Sequence, residues 1–466
     1  RIRLRSLIAA LARRRNTPFQ PAAAEERPRF TEECRRTHTI LAPQLAPIHF
    51  SLVRPVLEKH GYKVVVPALP DKAAIDLGLR YVNNDMCYPA IVVIGQLLAA
   101  LKSGEYDPDH TSILLFQTCG QVGPCRATNY MALMRQALKY AGYPQVPVFA
   151  CWGLETDAFA LDRSCFVDAI KAFLYGDLLQ KLRNATLPYE KERGAAERLY
   201  EKWHEKCLAE LMDGSYFKYA DTVRRMVQEF DALPLVEGIW KPKVGIVGEI
   251  LVKYHPVANN HIEEVLIEEG AEVVMPDFAD FFLYMAYDSI VERELFAGRL
   301  KDKLFAQMFI SLVEFFRRPM RKALKKSRRF TPPYKIGETA RLAKKHVSLG
   351  NMAGEGWFLT GEMVKLIHEG VPNVVCLQPF GCLPNHITGE GMIHKLHMAY
   401  PEAVFLPLDC DASASEANQE NRLKLMMNSL TEKEVNQLNR IKLMLAVAKE
   451  RNPHRDSASA NDAERR

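Results

Sequence analysis

The sequence lacks the patterns that mark a membrane span, a secretory signal or the two common nucleotide sites. No apolar run approaches the length of about 18 residues that a spanning helix needs. The opening RIRLRSLIAALARRR has only a short uncharged stretch between Arg5 and Arg13, and no small-residue cleavage site follows it. GIVGEI is not a G-x-G-x-x-G fingerprint, and no G-x-x-x-x-G-K-[ST] occurs, so neither a Rossmann dinucleotide site nor a P-loop is expected.

Cysteine and net charge are also modest. Ten cysteines in 466 residues are too sparse for a disulfide framework, and we expect free or metal-bound thiols in a reducing cytoplasm. The net charge is +6, and residues 1–36 alone hold ten Arg against four Glu. A chain otherwise balanced in charge gives no reason to expect a nucleic-acid partner. The absence of an initiator Met is compatible with a processed product or a segment of a longer polypeptide.

Strand and helix patterns alternate in two parts of the chain, which predicts an α/β fold with two doubly wound, parallel-sheet domains. The first begins near Thr39 and the second near Pro242. We predict an Arg-rich arm or linker over 1–37, a first α/β domain over 38–155, a helical segment over 156–240, a second α/β domain over 241–412 with a basic helical insert at about 281–345, a C-terminal helix over 413–450 and a disordered tail over 451–466.

Two further segments have both a structural and a functional interpretation. Residues 317–329 hold eight Lys or Arg and no acid, which favours a solvated helix face, with an acidic partner or a phosphate-bearing ligand such as coenzyme A as the alternative. Residues 350–363 are Gly-rich before a helix, which indicates either a turn with Thr360 as the N-cap or a loop that holds phosphate or pantetheine.

Four cysteines occupy loops beside strands and helix starts rather than positions inside helices. Cys119 and Cys125 lie between the strand SILLF and the helix NYMALMRQALKY, Cys382 follows the strand NVVCL, and Cys87 precedes a helix. The carboxyl ends of parallel strands form the crevice where such sheets bind ligands, so these cysteines could meet on one cluster. The spacing is neither a compact ferredoxin run nor a standard zinc signature, and packing and a structural zinc site stay open as alternatives. The other six cysteines are predicted to pack in the fold: Cys34, Cys151, Cys165, Cys207, Cys376 and Cys410.

Five blocks of sequence together resemble the 2-hydroxyacyl-CoA dehydratase / CoA-substrate activase-related iron–sulfur proteins. The resemblance covers most of residues 38–450 and is greatest to the dehydratase-like carboxyl-terminal region of the large fused members. It implies flavodoxin-like domains. The blocks are NNDMCYPAIVVIGQLLAALKSGEYD, QTCGQVGPCRATNYMALMRQAL, KVGIVGEILVKYHPVANNHIEEVL, GEGWFLTGEMVKLI and QPFGCLPNHITGEGMIHKL.

The resemblance also implies a cofactor and its ligands. In that family, three cysteines from separate loops hold a [4Fe–4S] cluster, and a related branch carries a double-cubane cluster. Cys87 matches the first ligand and Cys382 the last, while the middle ligand is Cys125 or Cys119. CRATNY favours Cys125, and Cys119 is an additional thiol that could complete a four-cysteine site.

The function implied is the iron–sulfur component of a 2-hydroxyacyl-CoA dehydratase-like system. It would accept low-potential electrons from an ATP-dependent activase, separate or fused upstream, for reductive dehydration of an acyl-CoA or another difficult reduction. A non-catalytic electron-transfer or scaffold module of a larger fused protein is the alternative. A dimer is expected, and no catalytic residue is assigned. Four residues near the cluster loops could face its open side: Asn83, Asn84, Glu355 and His386.

Overall fold

The computed structural model describes residues 2–15, 27–83, 86–116, 125–151, 156, 158–214 and 218–432. It is α/β, with two four-stranded, all-parallel sheets and many helices, consistent with two flavodoxin-like domains. The first sheet has the order β2-β1-β3-β4 and the second has the order β6-β5-β7-β8, so both follow the same 2-1-3-4 pattern. Within the described ranges, no helix is both long and apolar enough to cross a membrane.

The first domain forms around short, β-branched strands that are buried on both faces, as parallel sheets covered by helices require. Its strands are β1 Thr39–Leu41, β2 Val64–Val65, β3 Thr111–Leu115 and β4 Val148–Ala150. The preceding and surrounding helices are α1 Ile2–Arg15, α2 Glu32–Thr37, α3 Pro47–Lys59, α4 Lys72–Tyr81, α5 Tyr88–Lys102 and α6 Tyr130–Ala141.

Helix α5 is apolar around nearly its whole circumference and is buried. It crosses α4 at two glycines, Gly78 and Gly95. A Cβ at Gly78 would lie 2.1 Å from the Ile91 carbonyl oxygen, and one at Gly95 would lie 2.2 Å from the Ala74 carbonyl oxygen. Only glycine permits this backbone approach, so α5, which begins directly after Cys87, packs closely against α4.

A helical segment, α7 Arg163–Thr186, α8 Ala195–Asp213 and α9 Tyr219–Asp231, follows the first sheet. The second sheet comprises β5 Lys243–Gly248, β6 Glu272–Val274, β7 Asn373–Pro379 and β8 Val404–Cys410. Its helices are α10 Ile250–Tyr254, α11 Ile262–Glu268, α12 Ala279–Leu295, α13 Leu300–Leu324, α14 Ile336–Ala343, α15 Gly356–His368 and α16 Gly391–Ala399, with a π-helical segment at Asn385–Glu390 and further helix over 416–432.

The two domains share a core. One continuous cluster of buried side chains includes Leu41 and Ile113 of the first sheet together with Ile246 and Val375 of the second. A second cluster of buried side chains includes Phe30 of the N-terminal part, which is fully buried and stacks on the ring of Phe149 at 4.2 Å. The two sheets are therefore held against each other by apolar burial.

Two local predictions differ from the structure. Thr360 does not cap a helix: α15 begins at Gly356, and the Thr360 hydroxyl lies inside the helix, where it donates to the Thr388 carbonyl oxygen at 2.5 Å. The basic run is not a uniformly solvated face, since Arg317 is fully buried among carboxylates while Arg318 beside it is exposed. In both cases tertiary packing outweighs the local pattern.

Candidate functional site

Three cysteines line one cavity between the two domains. Cys87 lies just before α5, Cys125 begins the 3₁₀ turn Arg126–Asn129 that leads into α6, and Cys382 follows β7. The space inside the cavity and the open space at its mouth together amount to about 780 Å³. Cys87 and Cys382 are buried, and Cys125 is half-buried.

The cavity lies where both sheets present the carboxyl ends of their central strands. β3 ends just before the wall residue Phe116, β5 ends just before Glu249, and β7 ends just before Gly381 and Cys382. In each sheet the chain connection reverses direction between the two central strands, and this is the position at which doubly wound sheets bind ligands. Two domains therefore contribute cysteines to one crevice, two from the first and one from the second.

Two glycines allow the cysteine loops to approach one another. Gly381 has φ of +70°, and a Cβ there would lie 3.2 Å from Cys87 Cα. Gly354 has φ of +59°, and a Cβ there would lie 2.7 Å from Pro384 Cγ and 3.5 Å from Cys125 Sγ. A side chain at either position would be strained and would separate the loops from different domains.

The thiols have polar neighbours that favour their deprotonated form. Tyr130 Oη lies 3.0 Å from Cys87 Sγ, and Asn385 Nδ2 donates to Cys382 Sγ at 3.1 Å. Burial nevertheless raises the pKa of Cys87 to about 11 and the pKa of Cys382 well above its ordinary value. Both thiols are therefore neutral near pH 7 without a bound cation, and a metal would have to displace their protons.

Two buried carboxyl groups, Glu249 and Glu355, complete the polar side of the cavity wall. Glu355 accepts from the Ile250 backbone N–H at 3.1 Å and from Asn385 Nδ2 at 3.2 Å, and Glu249 accepts from the Val252 N–H at 3.0 Å. Burial and the charge of Glu355 raise the pKa of Glu249 well above its usual range. Burial also raises the pKa of Glu355. This pair can hold a proton beside the cysteines near neutral pH.

The remaining cavity wall is mainly aromatic and aliphatic. Phe278, Phe281, Phe282 and Met285 of the second domain face Phe116 of the first. Arg126 is the cationic residue among the described cavity-lining side chains. The cavity thus combines an apolar interior with a small polar set next to the thiols, which is the usual composition of a small-molecule site.

The structure places only some of the other residues singled out in the sequence at the cavity. Cys119 and Asn84 lie outside the described residues. Glu355 lines the cavity, whereas the half-exposed His386 lies 3.5 Å from Glu390. Among the six cysteines expected to pack, Cys34 is half-exposed beside Thr31. The other five are buried or line apolar space: Cys151, Cys165, Cys207, Cys376 and Cys410.

The donor set can be compared with the metal centres that thiolates form. A tetrahedral zinc site places its thiolates about 2.3 Å from the ion and so about 3.8 Å from one another. Among the residues that the structure describes, no three His, Cys, Asp or Glu side chains are grouped in a way that could hold a single metal ion. Three cysteine thiols on separate loops around one cavity are ligands of the type that iron–sulfur clusters use.

Sequence reasoning did not single out Glu249, Tyr130 or Asn385. Glu249 directly follows β5, so the rule that selected the loop cysteines would also have found it. Tyr130 and Asn385 contact the thiols from positions five and three residues after Cys125 and Cys382, and no local pattern marks such contacts. The chain matches no protein-family model, and no curated protein matches it.

Proposed function

We propose that this chain is the iron–sulfur component of a 2-hydroxyacyl-CoA dehydratase-like system, with a cluster held by Cys87, Cys125 and Cys382. The observation that supports it is the convergence of these cysteines, from three separate loops of two domains, on one cavity. The sequence resemblance pointed to Cys87 and Cys382, and to Cys125 in preference to Cys119, without reference to their positions in three dimensions. In this proposal, electrons come from an ATP-dependent activase on a partner or on upstream domains.

The cavity residues would have distinct parts in holding such a cofactor. The thiolates of Cys87, Cys125 and Cys382 would ligate iron, and a [4Fe–4S] or double-cubane cluster would supply one-electron reduction at low potential. With the cysteines bound to iron as thiolates, Tyr130 and Asn385 would donate hydrogen bonds to ligand sulfurs and so would stabilise the reduced cluster, which carries the more negative charge. The apolar walls restrict water around the site.

Glu249 and Glu355 are suited to moving a proton. Loss of a hydroxyl group as water needs a proton at the departing oxygen, and a buried carboxyl with a raised pKa can supply one near neutral pH. Glu249 keeps its position by capping α10, and Glu355 by its bonds to Ile250 N–H and Asn385. We therefore assign the proton-donating position to this pair within the proposed reaction.

Exposed apolar side chains next to Cys382 are compatible with a docking partner. Phe380, Leu383 and Ile387 are each about half exposed, at 49%, 47% and 51% of their surface. Clusters of exposed apolar residues mark interaction sites more often than single ones do. An electron donor that docks here would lie beside Cys382 and Leu383, which line the cysteine cavity.

The test is anaerobic reconstitution with ferrous iron and sulfide, followed by iron analysis and EPR of the reduced protein. We expect Cys87→Ser and Cys382→Ser to lose more than half of the bound iron, because a hydroxyl is a poor substitute for thiolate. Cys376→Ser is the matched control, since Cys376 is buried in β7 but does not line the cavity. Equal iron in all three variants would contradict the assignment.

The middle ligand is tested in the same way. Cys125→Ser should lower the iron content, and Cys119→Ser should leave it unchanged if three cysteines suffice. A loss in both variants would indicate a four-cysteine or two-cluster site. A fully ligated four-cysteine cluster would favour the alternative function, an electron-transfer or scaffold module, because no iron would remain open to substrate. EPR spectra that acyl-CoA thioesters leave unchanged would favour the same alternative.

A further inference from the structure

A second cavity lies next to the cysteine cavity, between the first domain and the α12–α13 hairpin. The space inside it and the open space at its mouth together amount to about 860 Å³. Helices α3 and α7 form one side, through Val53, Leu57 and Ala169, and α13 forms the other, through Phe309 and Val313. We call it the apolar chamber.

The apolar chamber and the cysteine cavity share a wall. Phe116, Phe173 and Phe282 line both spaces. The rings of Phe173 and Phe282 are 5.1 Å apart between centroids, so they pack in direct contact. All three side chains are only half-buried, unlike the fully packed phenylalanines of the core. Rotation of these rings about their side-chain bonds is the motion that would join the two spaces.

The lining of the apolar chamber selects the chemistry that it can accept. Its described lining residues are aliphatic or aromatic apart from Cys151, and burial keeps the Cys151 thiol neutral by raising its pKa. A phosphate, carboxylate or ammonium group there would lose its hydration without gaining a charged or hydrogen-bonding partner among these side chains. An uncharged alkyl or aryl group would gain from leaving water.

The polar groups are found on the other side of the shared wall. Arg126, Glu249 and Glu355 line the cysteine cavity and do not line the apolar chamber. A molecule that spans both spaces would therefore place its polar, reactive end beside the cysteines and its apolar end behind the three phenylalanines.

We propose that the apolar chamber is a binding site for an uncharged alkyl or aryl group. Its role as the pocket for the apolar end of the substrate rests on the proposed function. Binding of the apolar group itself does not, because the chamber is formed by side chains alone and needs no iron. Failure of the two proposals can therefore be observed separately.

The binding test uses the metal-free protein and the uncharged fluorophore 1-aminoanthracene, with straight-chain alcohols from butanol to octanol as competitors. We expect saturable binding, and competition that strengthens about fourfold for each added methylene, as burial of one CH₂ predicts. Absence of saturable binding, or competition independent of chain length, would overturn the proposal.

Two variants fill the apolar chamber without touching the cysteine cavity: Val313→Phe and Ala169→Leu. Each should weaken fluorophore binding at least tenfold. Met308→Phe is the control, because Met308 is on the same helix α13 but is 61% exposed. Circular dichroism melting identifies any variant that fails to fold, and the other variant then carries the test. Unchanged binding in a folded filling variant would refute the location.

Iron content measured on the same variants separates this proposal from the proposed function. The filling variants should bind as much iron as the unmodified protein, since neither residue lines the cysteine cavity. Fluorophore binding without any iron binding would support the apolar binding site and contradict the proposed iron–sulfur cluster. Iron binding without fluorophore binding would support the cluster and contradict the apolar binding site.

Discussion

Replacing Arg317 should destabilise the protein strongly, because this guanidinium is fully buried at the centre of an ionic network between the domains. Arg317 Nη1 lies 2.5 Å from Asp280 Oδ1, and Nη2 lies 3.1 Å from Asp277 Oδ2. Lys365 Nζ contacts Asp280 at 3.1 Å, and Lys181 Nζ contacts Asp277 at 3.3 Å. The network fixes the start of α12, where Asp280 directly precedes the cavity-lining residue Phe281.

Arg317→Met introduces an apolar side chain of comparable length and removes the positive charge. Removing one partner of a buried ion pair costs about 3–5 kcal/mol, because the carboxylates left behind are desolvated and unpaired. Lys365 and Lys181 remain, so we expect a loss near the lower end, about 3 kcal/mol at pH 7.5.

The loss should also depend on pH. Burial alone would raise the pKa of Asp280, but the charges of Arg317 and Lys365 outweigh it and hold this pKa below its ordinary value. The same balance, with Lys181 contributing most, lowers the pKa of Asp277. A lowered folded-state pKa stabilises the fold above the unfolded pKa of about 3.9, and this stabilisation is lost as pH falls through the folded value. Without Arg317 the pKa values of Asp277 and Asp280 rise, so these carboxylates become protonated at a higher pH and no longer leave an unpaired buried charge. The loss of unfolding free energy in the variant should therefore be smaller at pH 4.5 than at pH 7.5.

The measurement is urea denaturation followed by fluorescence, with the first unfolding transition compared at pH 7.5 and pH 4.5. Arg318→Met is the matched control: the neighbouring residue is exposed and should change the free energy of unfolding by less than about 0.5 kcal/mol. A deficit for Arg317→Met no larger than that of the control, or one that stays the same at both pH values, would refute the reasoning.

Three further predictions concern the cysteine cavity. Gly381→Ala should lower iron binding more than Gly370→Ala, because both glycines have positive φ but only at Gly381 would a Cβ meet another loop. A similar loss of iron in both variants would indicate an effect of backbone strain alone. Tyr130→Phe should retain iron and make the reduction potential more negative, because one hydrogen bond to Cys87 Sγ is removed; an unchanged potential by redox titration would exclude that contact. Cys34→Ser should bind as much iron as the unmodified protein, and a loss would place the N-terminal segment at the site.

The overall architecture was predictable because parallel sheets have a strong sequence signal. Apolar β-branched runs such as those of β3 and β5 are short, bounded by Gly or Pro, and separated by helical periodicity. The pattern identified the alternation of strands and helices in both domains. It did not identify α4, in which Gly78 weakens the helical signal while making the crossing with α5 possible.

The site was predictable in part, for a related reason. Loops after strands of one parallel sheet lie at one edge, so cysteines on them can be expected near one another. The rule applies to one sheet and does not predict how the sheets of the two domains face each other. The approach of the Cys382 loop to Cys87 depends on Gly381 and on the core shared by the two domains, and neither has a local sequence signal.

The basic run at residues 317–329 also shows that a local sequence pattern does not predict tertiary contacts. Its charge pattern indicates a solvated helix, and Arg318 fits that interpretation. Arg317 is buried because three carboxylates from distant parts of the chain, Asp177, Asp277 and Asp280, surround it. Such compensation is visible only once the chain is folded.

The central claim is that Cys87, Cys125 and Cys382 hold an iron–sulfur cluster, and iron determination after anaerobic reconstitution tests it most directly. We expect about four iron atoms per chain for a [4Fe–4S] cluster, or about eight for a double cubane, with a comparable amount of sulfide. The triple Cys→Ser variant at these positions should bind none, while Cys376→Ser should bind the full amount. A reconstituted protein without iron, or a triple variant that retains it, would contradict the claim.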